Sequence, residues 1–309
     1  MPFHLLDRFS AIASRYDVVL CDIWGVVHDG IAAHAGACDA LRRYRAQGGT
    51  VVLITNAPRP SPWVIRQLDR LGVPKDAYDG VVTSGDLTRC LVARRNGQTV
   101  FHIGPDRDLT IFEGLDVRLA PVETASFVVC SGLFDEYAET PDDYHDLVAA
   151  MAGRDLFMVC ANPDLVVERG TERFYCAGAI ADLYALRGGE VLYAGKPHRP
   201  IYDAALENAA AVRGVVAAPA RTLAIGDSLR TDITGARSLG IDGLFVSGGI
   251  HATELSAVEL GIEELGIEEL GIKEFGIKEL GPARIRVALD AMFAAAGVTP
   301  WAVTARLAW

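Results

Sequence analysis

The chain has 309 residues, half of them hydrophobic and 22% charged, enough for one large or two medium domains around a sizeable core. Its formal net charge of −11 offers no basic groove for nucleic acid and no polybasic patch for an anionic membrane surface. Any phosphate-bearing ligand would therefore need local positive charge, from a metal ion, a lysine or backbone N–H groups.

The first residues, MPFHLLDRFSAIASRYD, carry charge throughout and lack the apolar stretch of a secretion signal. No uninterrupted apolar run is long enough to span a bilayer. The six cysteines, Cys21, Cys38, Cys90, Cys130, Cys160 and Cys176, include no CxxC pair, and most lie in apolar stretches such as VVLCD and FMVCAN. Buried free thiols in a reducing, cytoplasmic setting are the expectation.

In chain order, short β-branched runs alternate with longer amphipathic segments. Strands are expected at 18–21, 50–55, 80–85, 99–104, 126–132, 156–162, 191–196, 222–227 and 243–249. Helices are expected at 35–48, 61–72, 84–96, 141–153, 177–187, 199–213 and 231–240. Continuous apolar runs suit strands covered on both faces, and the βαβ rhythm predicts an α/β fold with a Rossmann-like, doubly wound parallel sheet. Nine strands are many for one sheet, and the four that end in chemistry-capable residues are the first, second, seventh and eighth. An inserted α/β domain over 86–187 is therefore expected, within a core of 1–85 plus 188–309.

One segment follows neither period. Residues 259–281 read ELGIEELGIEELGIKEFGIKELG, with glycine at 261, 266, 271, 276 and 281. Five helical steps rotate about 140°, so this period builds no continuous helical face. A repeat-expanded surface insertion is expected there, followed by a closing helix in ARIRVALDAMFAAAG.

Four pieces fall at the C-terminal ends of expected strands, where open parallel sheets hold their ligands. In VVLCDIWGVVHDG, Asp22 follows a strand and precedes a glycine turn, and can be a nucleophile, a metal ligand or a cap. In VVLITNAPRP, Thr55 and Asn56 can hold an anion through a hydroxyl and backbone N–H groups. In YAGKPHRPIYDAAL, Lys196 stands before a proline-led helix start, a suitable place for a phosphate-neutralising cation. In LAIGDSLRTDITGA, Asp227 and Asp232 share a loop and suit a hard cation such as Mg²⁺. Each piece alone also reads as turn or cap chemistry; the four in this order are far more specific.

The set DIWGVV, LITNAPR, AGKP and GDSLRTDI resembles the four motifs of the haloacid dehalogenase superfamily. The stretch ANPDLVVERG followed by CAGAIADLYALRGGEVLYAGKP is similar to its class IIA branch, with an α/β cap between the second and third motifs. The resemblance covers about residues 15 to 250 and implies a Mg²⁺-dependent phosphohydrolase acting on a small phosphorylated metabolite. Asp22 would be the nucleophile and form an aspartyl-phosphate. Mg²⁺ would be held by Asp22, the Trp24 carbonyl and Asp227. Lys196 would neutralise the transferring group, with Thr55 and the Asn56 backbone cradling its oxygens and Asp232 orienting Lys196 or a metal-bound water. In the cap, Asn162 and Asp164 would approach the site, and Arg59 beside the phosphate loop is a further substrate contact. A homodimer is compatible with the branch.

One position departs from that pattern. Phosphatases of the superfamily carry a second aspartate two residues after the nucleophile, which protonates the leaving group; here the residue is Trp24. Positioned acid–base catalysis contributes about 10²–10⁴-fold, so either His28 or Asp29 a few residues on substitutes, although turn residues are the more ordinary reading of both, or the chain is an impaired member that binds a metabolite phosphate without turnover.

Overall fold

The computed structural model describes residues 3–169, 172–249 and 282–309; the glycine repeat at 259–281 lies outside the described residues. The strands in chain order are β1 (His4–Leu5), β2 (Val18–Asp22), β3 (Thr50–Thr55), β4 (Gly80–Thr83), β5 (Thr99–Ile103), β6 (Arg118–Leu119) and β7 (Phe127–Cys130). They continue as β8 (Met158–Cys160), β9 (Val166–Arg169), β10 (Glu172–Tyr175), β11 (Val191–Tyr193), β12 (Thr222–Gly226), β13 (Asp242–Val246) and β14 (Ala302–Thr304). The helices are α1 (Ala35–Ala46), α2 (Ser61–Leu71), α3 (Ser84–Ala93), α4 (His145–Ala152), α5 (Ala177–Leu186), α6 (Arg199–Arg213), α7 (Thr234–Leu239) and α8 (Pro282–Ala296).

Seven strands form one sheet in the order β1-β14-β13-β12-β2-β3-β4, and every pairing in it is parallel. The chain leaves β2 toward β3 and β4, then returns on the other side of β2 through β12, β13 and β14. The order therefore reverses between β2 and β12, and a crevice opens there at the C-terminal strand ends. β2 and β3 are buried along their whole lengths. Alternate residues serve opposite layers: Val19 and Cys21 pack with Leu41 of α1 and Leu68 of α2, whereas Val18 and Leu20 pack with Ile201 and Ala205 of α6. This two-sided burial is why these strands read as unbroken apolar runs. Near the C-terminus, α8 packs Leu289 and Phe293 against Phe245 and Val303 of the core.

A second parallel sheet runs β11-β8-β7-β5-β6, with α4 and α5 on one face and α3 on the other. β11 belongs here. It pairs with β8 in the register Val191 to Met158, so the second sheet extends past residue 187, where the sequence expectation drew its boundary. The reason is physical: VLY is the same kind of short apolar run in either sheet, and its partner is set by packing on β8, which local pattern does not encode. The third chemical motif accordingly hangs from the second sheet and reaches across to the first.

Among the described residues all nine expected strands are present. Five further strands were not expected, including β9 and β10, an antiparallel pair with Phe174 opposite Val167. The helix expected at 231–240 divides into a wide turn at Leu229–Ile233, where the Ile233 N–H donates to the Ser228 carbonyl at 3.2 Å, and then α7. Among the described residues no helix is long and apolar enough to cross a membrane. All six cysteines are free, five of them buried.

Candidate active site

Asp22 ends β2, and Asp227 follows directly on β12. The two strands are register neighbours, with Ile225 beside Cys21, so their carboxylates emerge side by side at the crevice. Asp232 arrives from the turn after β12 and is buried; its Oδ2 accepts the Ser228 N–H at 3.2 Å. One oxygen from each of Asp22, Asp227 and Asp232 can be chosen so that all three lie within 4.8 Å of one another.

Two glycines make room for this cluster. Gly25 has φ +78°, and a Cβ there would stand 1.9 Å from Asp227 Oδ2; a Cβ on Gly249 would stand 2.1 Å from the same oxygen. Only glycine takes the first conformation without strain, and neither position tolerates a side chain without moving the carboxylate.

Lys196 enters from the loop after β11, and only 3% of its side chain is exposed. Its Nζ donates to Asp22 Oδ1 at 2.6 Å and to Asp232 Oδ1 at 2.7 Å. Burial works to lower the lysine pKa, but the two carboxylates outweigh it and hold the ammonium well above the ordinary lysine range. Burial raises Asp22, against the pull of Lys196, and pushes Asp232 up to about 6. Three carboxylates against one ammonium leave the cluster short of positive charge. The donors are all oxygen, hard and buried, which fits Mg²⁺ rather than a softer metal.

Asn56 fixes the lysine loop. Its Oδ1 accepts the Lys196 N–H at 2.7 Å, and its Nδ2 donates to the Lys196 carbonyl at 3.0 Å and to Asp164 Oδ1 at 2.9 Å. Gly195 is required beside it, because a Cβ there would meet Asn56 Oδ1 at 2.4 Å. Thr55 ends β3, and its Oγ1 accepts the Ala57 N–H at 3.2 Å.

Asp22, Thr55, Asn56, Lys196 and Asp227 line a cavity of about 460 Å³ that Trp24 and Asp164 line as well, whereas Asp232 stays off its wall and reaches it through Lys196. The β9–β10 pair supplies a further wall through Val166, Val167 and Arg173. Asn162 and Arg59 line instead an adjoining cavity of about 100 Å³, which Trp24, Thr55 and Asp164 share. Asn162 acts on its neighbour: its Oδ1 accepts the Asp164 N–H at 3.1 Å.

The loop between β2 and α1, residues 23–34, forms a flap at the cavity, and of its two groups considered as substitute acids His28 is 2% exposed and does not line the cavity. Its Nδ1 accepts the Gly30 N–H at 3.0 Å, and burial lowers its pKa to about 4. Asp29 does line the cavity, but one oxygen accepts the N–H groups of Ile31 and Ala32 at 2.8 and 2.9 Å. Burial works to raise its pKa, and those amides outweigh it and keep it lowered.

Sequence reasoning did not single out His34, Ser228, Thr231 or Arg230, all of which line the cavity. Arg230 ties the turn after β12 to the second sheet, donating to the Pro163 carbonyl at 2.6 Å and to Asp182 of α5 at 2.9 Å. Its place between two aspartates in GDSLRTD was the available signal.

A Rossmann-like parallel sheet with carboxylates at its switch point and an inserted α/β unit defines a class, and comparison with known proteins gives it a family. A haloacid dehalogenase-like hydrolase model matches residues 19–118, and a HAD-hydrolase-like model matches 193–261. A solved structure of a haloacid dehalogenase-like hydrolase from Brucella suis 1330 is 43% identical, with a TM-score of 0.80 over 98% of this chain and 100% of that one. The ribonucleotide monophosphatase NagD of Escherichia coli K12 is 28% identical over 76% of this chain and 89% of its own. The glycerol phosphate phosphatase Rv1692 of Mycobacterium tuberculosis, solved in complex with magnesium, shares the fold at 24% identity and a TM-score of 0.59, over 80% of this chain and 72% of that one. The chain belongs to the haloacid dehalogenase-like hydrolases, in their class IIA branch.

Proposed function

We propose that the chain is a Mg²⁺-dependent phosphomonoester hydrolase that works on a small phosphorylated metabolite through an aspartyl-phosphate on Asp22. The observation that carries this reading is the assembly of Asp22, Lys196 and Asp227 on one cavity at the switch point, with Asp232 paired to Lys196 and clustered with the other two carboxylates. The phosphatase names of the relatives support it.

Asp22, Asp227 and the Trp24 backbone carbonyl would hold Mg²⁺, which when bound supplies the positive charge that draws the phosphoryl oxygens and the Asp22 carboxylate together. Asp22 attacks phosphorus in line, an oxygen–phosphorus bond forms, and the ester oxygen departs. Lys196 neutralises the transferring oxygens, and its ammonium is held in place by Asp232. Thr55 and the Asn56 backbone N–H would complete the phosphate cradle. The cavity of about 460 Å³ suits a small ester, and its wall from β9–β10 would contact the group beyond the phosphate. A cytoplasmic setting agrees with six free thiols.

A phosphate-release screen over a panel of esters with Mg²⁺, blanked by Asp22→Asn, tests the proposal. Release by the wild type that the blank lacks is expected. Trp24 favours a second reading, a metabolite-phosphate binding protein without turnover; tight binding of an ester with no release across the panel would establish it in place of the first.

A further inference from the structure

Hydrolysis of an alkyl phosphate needs a proton for the departing oxygen, and position 24 holds an indole. That ring lies edge-on to His28, with centroids 5.0 Å apart. Neither His28 nor Asp29 is placed to supply the proton: one is buried off the cavity, and the other is exposed and held as a carboxylate by two amide N–H groups that keep its pKa lowered. Of the remaining ionisable groups on the cavity wall, Asp22, Asp227 and Lys196 have roles already, and a guanidinium such as that of Arg173 or Arg230 serves as a hydrogen-bond donor rather than a general acid. His34 and Asp164 remain.

The surroundings of the two groups separate them. The charge of His34 is felt by Asp29 and His28, in the flap. The charge of Asp164 is felt by Asp22 and Lys196, at the reacting centre. Asp164 is half-buried, lines both the main cavity and the adjoining one that Trp24 shares, and is fixed from two directions. Its Oδ1 accepts from Asn56 at 2.9 Å, and its N–H donates to Asn162 at 3.1 Å. The same Asn56 side chain holds the Lys196 backbone at 2.7 Å, so the phosphate-neutralising cation and the cap carboxyl share one positioning residue. Burial raises the Asp164 pKa, against the pull of Lys196 and the Asn56 hydrogen bond, in the direction that suits an acid.

Resting on the hydrolase reading above, we propose that Asp164, carried in from the cap side of the cavity, is the general acid and base that Trp24 cannot be. As Asp22 attacks, the bond between phosphorus and the ester oxygen breaks, and the Asp164 carboxyl gives its proton to that oxygen, releasing an alcohol. The Asp164 carboxylate then takes a proton from the water that attacks the aspartyl-phosphate. Inorganic phosphate leaves, Asp22 is regenerated, and Asp164 is again protonated.

The test compares glycerol phosphate with p-nitrophenyl phosphate, whose leaving group needs little protonation. Asp164→Asn keeps an oxygen for Asn56 and loses the transferable proton together with the carboxylate charge, and the loss of charge acts on both esters alike. Its alkyl-to-aryl ratio of kcat/KM is expected to fall by about 10²–10⁴-fold, with a steeper dependence of rate on leaving-group pKa across a series of esters. Asp164→Glu should recover part of the ratio, and a thermal melt confirms that each variant is folded. Equal losses on both esters, or no loss on either, would overturn the assignment while leaving the hydrolase reading intact; in the second case His34→Gln would be the next variant. A wild-type chain that releases phosphate from no ester of the panel overturns the hydrolase reading and this inference with it.

Discussion

Lys196 Nζ and Asp232 Oδ1 lie 2.7 Å apart with 3% and 4% of their side chains exposed, an ion pair removed from water at the base of the cavity. Breaking a buried pair by deleting one partner costs about 3–5 kcal/mol, because the other charge is left uncompensated. Lys196→Met keeps the length of the side chain and removes its charge. It should melt well below the wild type and release no measurable phosphate from any ester. Mg²⁺ should raise its melting temperature more than that of the wild type, since the carboxylates then depend on the cation alone for compensation. Scanning calorimetry with and without Mg²⁺ reads both effects.

Mg²⁺ binding should require Asp227 and the space around it. Asp227→Ala should abolish the calorimetric Mg²⁺ signal. Gly25→Ala should weaken it strongly, because the added Cβ would lie 1.9 Å from Asp227 Oδ2. Backbone strain at φ +78° adds roughly 1–2 kcal/mol of destabilisation. Gly48→Ala is the control: its φ is +89° and a Cβ added there meets nothing within 4 Å, so it should show the strain with Mg²⁺ affinity retained. Equal Mg²⁺ affinity in the two glycine variants would rule out the cradle.

The acid limb of stability should carry the signature of His28. Burial lowers its pKa from 6.5 to about 4 in the folded chain, so the unfolded chain binds the proton more readily. The stabilisation is complete above pH 6.5 and is lost as the pH falls through 6.5 toward 4. One pKa unit corresponds to about 1.4 kcal/mol, so the loss reaches a few kcal/mol at the acid end. His28→Asn retains an acceptor for the Gly30 N–H and should flatten the melting temperature against pH across that window. Parallel curves for wild type and variant would show that His28 does not titrate on unfolding.

The sequence made the catalytic pieces legible because their chemistry and their strands coincide. VVLCD and TVVLIT are buried on both faces, so their apolar runs end where Asp22 and Thr55 begin. β11 was legible as a strand and not as a member of the second sheet, since three half-buried residues carry no information about their partner. The β9–β10 pair was hidden in VVERGTERFY, where Arg173 is the register partner of Glu168 and charged positions interrupt the alternation. Asp164 was readable as a residue near the site, but its tie to Asn56 spans 108 positions and is a tertiary fact. His28 read as a turn residue or as a substitute acid, and its burial together with its hydrogen bond from the Gly30 N–H favours the first.

Trp24 gives the last prediction. Its indole is packed as well as substituted: a Cβ on Gly30 would stand 2.5 Å from the ring, and the His28 imidazole meets it edge-on at an interplanar angle of 78°. The ring is half-buried, so its removal should cost less than the roughly 3–5 kcal/mol of a fully buried tryptophan. Trp24→Asp places a carboxyl two residues after the nucleophile. In an Asp164→Asn background that second substitution should restore the alkyl-to-aryl ratio to within about tenfold of the wild type, since the general-acid contribution it replaces is about 10²–10⁴-fold. Trp24→Phe in the same background keeps an aromatic ring in the flap and adds no acid, so it should leave the ratio low. Rescue by the aspartate and not by the phenylalanine would show that the two carboxyls serve one proton-transfer role from opposite sides of the cavity. A folded Trp24→Asp, Asp164→Asn chain with the ratio still depressed would show that the flap holds position 24 out of reach of the leaving oxygen.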